Sequence, residues 1–228
     1  DIARYATFNE FFIRPLKAGV RPMDLENSTI LSPADGFISQ HGAIEGQTII
    51  QAKGKSYSVE ALLASGSDCA QRFEGGQFIC AYLSPKDYHR VHMPLAGSLS
   101  DMTFVPGSLY SVRPRIVTEV DALFAKNERA VSLFETPHGL MAVVLVGAMI
   151  VGSIHTTWHG QVKVSPNITT TWDYHDNPVV LDKGAQMGHF QVGSSVVVLF
   201  DKDMKLAWDD SLRAGRPIKM GQTLARIV

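Results

Sequence analysis

The chain has 228 residues, 45% of them hydrophobic, enough apolar material for a real core in one large domain or two small ones. Its 21 basic residues nearly cancel its 22 acidic ones, which excludes the strongly basic footprint of a nucleic-acid binder. Cys69 and Cys80 are too few for a disulfide framework and form no CxxC pair for structural zinc, so a reducing compartment is expected.

The chain begins at Asp1 without a methionine and shows no signal peptide, so a preceding stretch carrying targeting or membrane information is expected. The first residues, DIARYATFNEFF, predict a short helix capped by Thr7 or Asn9, with Phe8, Phe11 and Phe12 on one face. Core packing and contact with a membrane surface both account for that face. Pro15 and Pro22 then punctuate an irregular connector, making residues 1–24 a helical and connector segment.

Beyond it, a small or polar residue, a glycine and a short alternating strand recur in ADGFIS, LAGSLS and WHGQVKV, and GQTLARIV opens similarly. Helical spacing is clear in SVEALLA, where Ser58 caps and Glu60 lies in the first turn, and is present in DALFAKNERA. The apolar stretch from Gly139 to Ile154 has 16 residues. A bilayer needs ~20, so it reads as two buried strands joined at a glycine kink. SPNITTTWDYHDNPVV, Ser165 to Val180, reads as a strand-poor surface loop that lines a site. No low-complexity linker divides the chain. The expected class is β-rich α+β, a single domain over 1–228 of sandwich-like or barrel-like sheets with short N-terminal helices.

Three segments pair special backbone residues with reactive side chains. In SPADG, Pro33 stiffens the approach and Gly36 permits a sharp turn, leaving Asp35 at a corner; alone, such an Asp is usually a turn residue. YLSPKDYHRVHMPLAG carries His89 and His92 in a stretch that suits neither the helix nor the strand period. It lacks the glutamate and spacing of HExxH, so no metal is expected. VGSS, Val192 to Ser195, interrupts a strand pattern; a bulge or turn explains a lone GSS. A serine nucleophile needs a base, and the base needs a carboxylate, roles that Ser194, His92 and Asp35 can fill. The GxSxG elbow of hydrolases is absent. A serine directly after glycine instead has its own preceding carbonyl within reach, so attack by Ser194 on the Gly193 carbonyl, ester formation and elimination would leave a pyruvoyl group.

Together these segments resemble the phosphatidylserine decarboxylases, which carry a self-generated pyruvoyl prosthetic group. The resemblance runs through FNEFFIRPLKAGVRPMD, SPADG, QAKG, YLSPKDYHRVHMPLAG, VPGSLYSV, LFAKNERA, VGAMIVGSI, KGAQMGHF and VGSS. Each motif alone is weak, but their number and order are specific. Many members have LGST where this chain has VGSS, so Val192 and Ser195 depart from the pattern and Ser195 adds a second hydroxyl.

The resemblance implies a triad of Asp35, His92 and Ser194 that cleaves Gly193–Ser194 into a β chain, 1–193, and an α chain, 194–228, whose first residue becomes the pyruvoyl cofactor. That group would form a Schiff base with the amine of phosphatidylserine and yield phosphatidylethanolamine and CO₂. His89 is assigned the reprotonation of the α-carbon. The resemblance also implies a peripheral location on the cytoplasmic face of the bacterial inner membrane, anchored by residues before Asp1, and pairing as a homodimer. Two other readings remain open at this point. One is a serine hydrolase using the same triad uncut; the other is a carrier in which PIKMGQTLARIV forms a hairpin presenting Lys219.

Overall fold

The computed structural model describes residues 5–52, 54–148, 154–162, 167–191 and 194–228. Its centre is a nine-stranded antiparallel sheet. From one edge, strands Thr170–Asp173, Gly97–Val105, Arg129–Thr136, Gly139–Val146, Ser194–Phe200, Gln77–Leu83, Gly36–Ala43 and Pro217–Ile218 lie side by side, and Val179–Leu181 also pairs with Gly97–Val105. One half of it uses strands consecutive in the chain: Gly97–Val105 leads through two helices to Arg129–Thr136, which forms a hairpin with Gly139–Val146. Strand Ser194–Phe200 enters late in the chain yet sits between Gly139–Val146 and Gln77–Leu83, bonded on both edges.

Both faces of that sheet are covered, which is why its central strands read as continuous apolar runs. All seven residues of Ser194–Phe200 are buried. Val196, Val198 and Phe200 face a core shared with a four-stranded sheet (Arg90–His92, Ile154–Thr156, Gly160–Val162, Gln186–Phe190) and a three-stranded one (Thr29–Leu31, Leu206–Trp208, Thr223–Ile227). Val197 and Leu199 face a second core built with helices Val59–Leu63, Ser67–Arg72, Pro114–Glu119 and Leu123–Lys126 and the hairpin Thr48–Ala52 with Lys55–Ser58. One face is thus sheet on sheet and the other helix on sheet. None of the described sheets closes into a barrel.

Arg129 ties the helical layer down. Buried to 3% exposure, it donates to the carbonyls of Ala61, Leu62, Ala125 and Asn127, and burial pulls its pKa down to about 10. These carbonyls end two short helices that lack side-chain caps there, so one guanidinium satisfies acceptors that would otherwise be orphaned.

The predicted caps are in place: Thr7 accepts from the Glu10 N–H at the start of helix Phe8–Phe12, and Ser58 accepts from Ala61 N–H ahead of Val59–Leu63. Only one of the described helices is N-terminal; the others are inserted between strands. The three phenylalanines divide, Phe12 being buried at 3% exposure and Phe8 open at 71%. The expected loop at 165–180 is interrupted in its described part by two strands, because Thr170–Asp173 and Val179–Leu181 each find a ladder on Gly97–Val105. The predicted kink between the two strands of 139–154 lies partly outside the described residues. No helix among the described residues is long and apolar enough to cross a membrane.

Strand Ser194–Phe200 should be the element least tolerant of truncation. Phe200→Ala, which empties a fully buried ring packed against Trp208, is expected to cost about 3–5 kcal/mol, read as a lowered urea midpoint.

Candidate active site

Three sequence segments meet where strand Ser194–Phe200 begins. Ser194 lies opposite Leu83, the last residue of its neighbouring strand, so the loop that carries Tyr88 and His89 departs beside the serine. Phe37, Tyr82 and Ser195 form one row across three adjacent strands, which brings Asp35 to the same end of the sheet. Gly36 makes that approach possible. Its φ is +156°, and a Cβ there would stand 2.2 Å from the Tyr82 carbonyl oxygen. The HRVH segment forms a short strand, Arg90–His92, rather than the aperiodic stretch its sequence suggests, and the His92 N–H donates to the Pro33 carbonyl at 2.8 Å. SPADG and HRVH are therefore stitched together by backbone.

Asp35 is heavily engaged. Its carboxylate accepts from Arg21 Nη2 at 2.6 Å and Nε at 3.3 Å, from Lys219 Nζ at 3.3 Å and from the Met220 N–H at 2.8 Å. Burial pushes its pKa up, but the Arg21 hydrogen bond, the Met220 N–H and the charges of Arg21 and Lys219 outweigh that and hold it below the usual carboxylate value.

His92 is held at both nitrogens. Nδ1–H donates to the Gly184 carbonyl at 2.8 Å, a group that only accepts, so Nε2 bears the lone pair and receives the Tyr88 hydroxyl at 2.9 Å. Burial lowers the His92 pKa, against which the Gly184 hydrogen bond and the nearby Asp35 charge work. The ring is a neutral base with a defined tautomer.

Ser194 has no exposed surface, and its Oγ has no hydrogen-bond partner among the described residues. Among the described residues, Asp35, His92 and Ser194 are brought to one end of the sheet but share no hydrogen bond with one another. Gly193 and Val192 lie outside the described residues. Ser195 is also buried without a hydroxyl partner, and strand alternation turns it to the opposite face, with Val197 and Leu199.

His89 is fully buried and packs against Phe12 with the ring centroids 4.1 Å apart and the planes tilted by 41°. Its Nδ1–H donates to the Asp87 carbonyl at 2.9 Å, which leaves Nε2 a buried lone pair without a partner. Burial lowers its pKa. Its carbonyl accepts from the Phe190 N–H at 3.0 Å, so His89 also anchors the end of the strand that leads toward Ser194.

Sequence reasoning missed Arg21 and Tyr88. Tyr88 carries a readable signal, a phenol four residues before His92, whereas nothing in the sequence joins Arg21 to Asp35 across an irregular connector. Lys219 has a different place from the carrier reading. It pairs with Asp35, and the flanking strands Pro217–Ile218 and Thr223–Ile227 pair with Gly36–Ala43 and with Thr29–Leu31 and Leu206–Trp208, not with each other, so no carrier hairpin forms.

The family model for phosphatidylserine decarboxylase matches residues 8–226. The chain belongs to the phosphatidylserine decarboxylase family. It is 50% identical to the phosphatidylserine decarboxylase proenzyme of Pseudomonas fluorescens (strain Pf0-1) over 229 residues, covering 99% of this chain and 80% of that one. The proenzyme of the same description from Shewanella pealeana is 51% identical over 231 residues, covering 100% of this chain and 80% of that one. The one from Delftia acidovorans is 50% identical, with 99% and 79% covered. In this member of the family, the residues around Ser194 include one fully and one partly buried imidazole, each with a defined tautomer, and a buried carboxylate held as an anion.

Because the folded pKa of Asp35 lies below 3.8, its ion pairs stabilise the fold above that value, and the contribution is lost as pH falls through the folded pKa. Arg21→Ala should therefore lower stability by ~1–2 kcal/mol near neutral pH, a figure discounted for the partial exposure of Arg21 and the partners that remain. Urea titrations of wild type and variant should converge as the pH is brought below that of Asp35 protonation.

Proposed function

We propose that this chain is a self-processing decarboxylase of phosphatidylserine: Gly193–Ser194 is cut, 1–193 and 194–228 stay together as β and α chains of one catalytic domain, and Ser194 becomes a pyruvoyl group. The observation that carries the reading is the Ser194 hydroxyl, completely buried and unpartnered at the first residue of a central strand, in a chain whose relatives are named proenzymes. Ser132 and Ser195 are also buried without hydroxyl partners, and what sets Ser194 apart is its place directly after Gly193 at the start of the strand, where its own preceding carbonyl is the nearest electrophile. A serine hydrolase is disfavoured by the lack of a GxSxG elbow around Ser194, the turn that presents a nucleophile to a foreign carbonyl.

In self-cleavage, Ser194 Oγ bonds to the Gly193 carbonyl carbon, His92 takes the hydroxyl proton, and the C–N bond breaks to leave an ester and an amine on residue 194. Removal of the Cα proton of residue 194 expels the 1–193 carboxylate from Cβ and gives dehydroalanine, which takes a proton at Cβ to become an imine. Water then replaces its nitrogen, which leaves as ammonia. His92 suits the base role because Gly184 fixes the proton on Nδ1 and leaves Nε2 to accept. Tyr88 holds that lone pair, so its hydroxyl has to yield Nε2 to the serine proton. Asp35 contributes a fixed negative charge that favours the imidazolium.

When present, the pyruvoyl group supplies a conjugated carbonyl that takes up the electron pair left by departing CO₂. His89 enters as a neutral base, takes a proton from the substrate ammonium at Nε2 and returns it to the α-carbon after CO₂ leaves. Because burial lowers its pKa, this activity should persist into mildly acidic solution and fall only as pH drops through that lowered value. The substrate is a bilayer lipid, so the protein works at a membrane surface, where the exposed Phe8 and Leu25 (71% and 60%) offer apolar contact. The cytoplasmic face of the bacterial inner membrane and assembly as a homodimer belong to the same proposal.

Ser194→Ala should remain a single uncut chain without decarboxylase activity, seen by denaturing electrophoresis and CO₂ release. His89→Ala should still cut itself but lose roughly 10²-fold or more in kcat. A His89→Ala enzyme that cuts itself and decarboxylates at the wild-type rate would remove His89 from the reaction.

A further inference from the structure

On the face of the sheet opposite the Ser194 side chain lies a cleft of about 420 Å³, a size within the ~300–1,000 Å³ of small-molecule sites. Phe37, Ile38, Ala52, Tyr82, Val117 and Ala214 supply most of its wall. Gln51, the one fully buried polar side chain against it, offers nothing to a ligand. Its Nε2 donates to the Val117 and Val120 carbonyls at 2.8 and 2.7 Å, and its Oε1 accepts from the Leu123 N–H at 2.7 Å. These bonds fix helix Pro114–Glu119 as a rigid wall while the interior stays hydrocarbon.

The rim is cationic. Lys86 Nζ lies 5.8 Å from the centroid of Phe37, and Arg113 lies beside the Tyr82 phenol. Asp87, the carboxylate near that phenol, is turned into its own loop, accepting from the Ser84 N–H at 2.9 Å. Thr118, Ala214 and Gly215 on the outer wall are exposed, so the cleft opens to solvent. The cleft is also tied to the reacting position by ladder register. Tyr82 in its wall is the direct cross-strand partner of Ser195, and Phe37 is the partner of Tyr82.

Apolar walls with a cationic rim fit a hydrocarbon chain that ends in an anion. We propose that this cleft receives an acyl chain of the phospholipid substrate, with Lys86 and Arg113 facing its phosphodiester, so that the headgroup is directed toward position 194. The inference rests on the decarboxylase reading and adds to it a chain-binding site that sets substrate length preference. One end of the substrate is then held by hydrocarbon burial, and the serine end is left free to reach the start of the strand. This is the use of remote binding energy to orient a reacting group.

The test compares dioleoyl with dihexanoyl phosphatidylserine as substrates for Ala214→Trp and Thr118→Trp, each filling the cleft from its exposed wall. Wild type is photolabelled in parallel with phosphatidylserine bearing a diazirine midway along one acyl chain, and the labelled peptides are mapped by mass spectrometry. The proposal expects the ratio of kcat/KM for the long over the short substrate to fall at least tenfold in both variants, with label on peptides containing Phe37, Tyr82 or Val117. An unchanged ratio with label elsewhere overturns it. Equal losses on both substrates also overturn it, because the cleft would then serve the headgroup. If a variant fails to fold or to cut itself, the wild-type label decides alone. A wild-type chain that neither cuts itself nor releases CO₂ would instead sink the decarboxylase reading, a result independent of where the label falls.

Discussion

Strand Ser194–Phe200 is bonded along both edges and buried on both faces, and the rest of the molecule is arranged around that constraint. A strand so placed cannot shift register without breaking two ladders and moving every side chain to the wrong core. Its first residue is Ser194, so the same packing that stabilises the domain fixes the position of one hydroxyl. The strand also belongs entirely to the C-terminal piece that cleavage before Ser194 would create. Six or seven ladder partners on each side and the burial of Val196 through Phe200 hold that piece without the peptide bond. Cleavage there would alter chemistry at a strand end and leave the core as it was.

Charge is arranged around this end with equal economy. Asp35 is kept anionic by Arg21, Lys219 and the Met220 N–H, and its field reaches His92 without a direct hydrogen bond. His89 is fully buried and His92 partly so, and each spends its Nδ1–H on a backbone carbonyl, Asp87 in the first case and Gly184 in the second. The two imidazoles differ at Nε2. His92 is held there by Tyr88, whereas His89 is bare. Two rings of the same tautomer are thus set up differently, which supports giving them different tasks.

Much of this was legible before the structure. Glycine-led short strands announced a β-rich fold, and Thr7 and Ser58 marked helix starts because a cap needs only local geometry. Asp35, His92 and Ser194 stood out because each sits in a segment whose backbone residues are unusual. What was not legible depends on contacts between distant segments. Thr170–Asp173 is polar and Val179–Leu181 is only three residues long behind a proline, so neither stands out from its loop-like surroundings, and both pair as strands on Gly97–Val105. HRVH has no period of its own and is made a strand by Gln186–Phe190. Arg21 reaches Asp35 from an irregular connector between two prolines, a pairing that no spacing rule encodes. PIKMGQTLARIV reads more simply as a strand and turn of the β fold than as a carrier hairpin around Lys219, and its two strands pair with three others.

The account stands most directly on the intact mass of freshly purified protein, measured first under native and then under denaturing conditions. It predicts one particle in native spray and two chains after denaturation, the smaller starting at position 194 and lighter than its unmodified sequence by one ammonia. A single folded chain of unmodified mass, persisting in the presence of phosphatidylserine, would contradict self-conversion at Ser194.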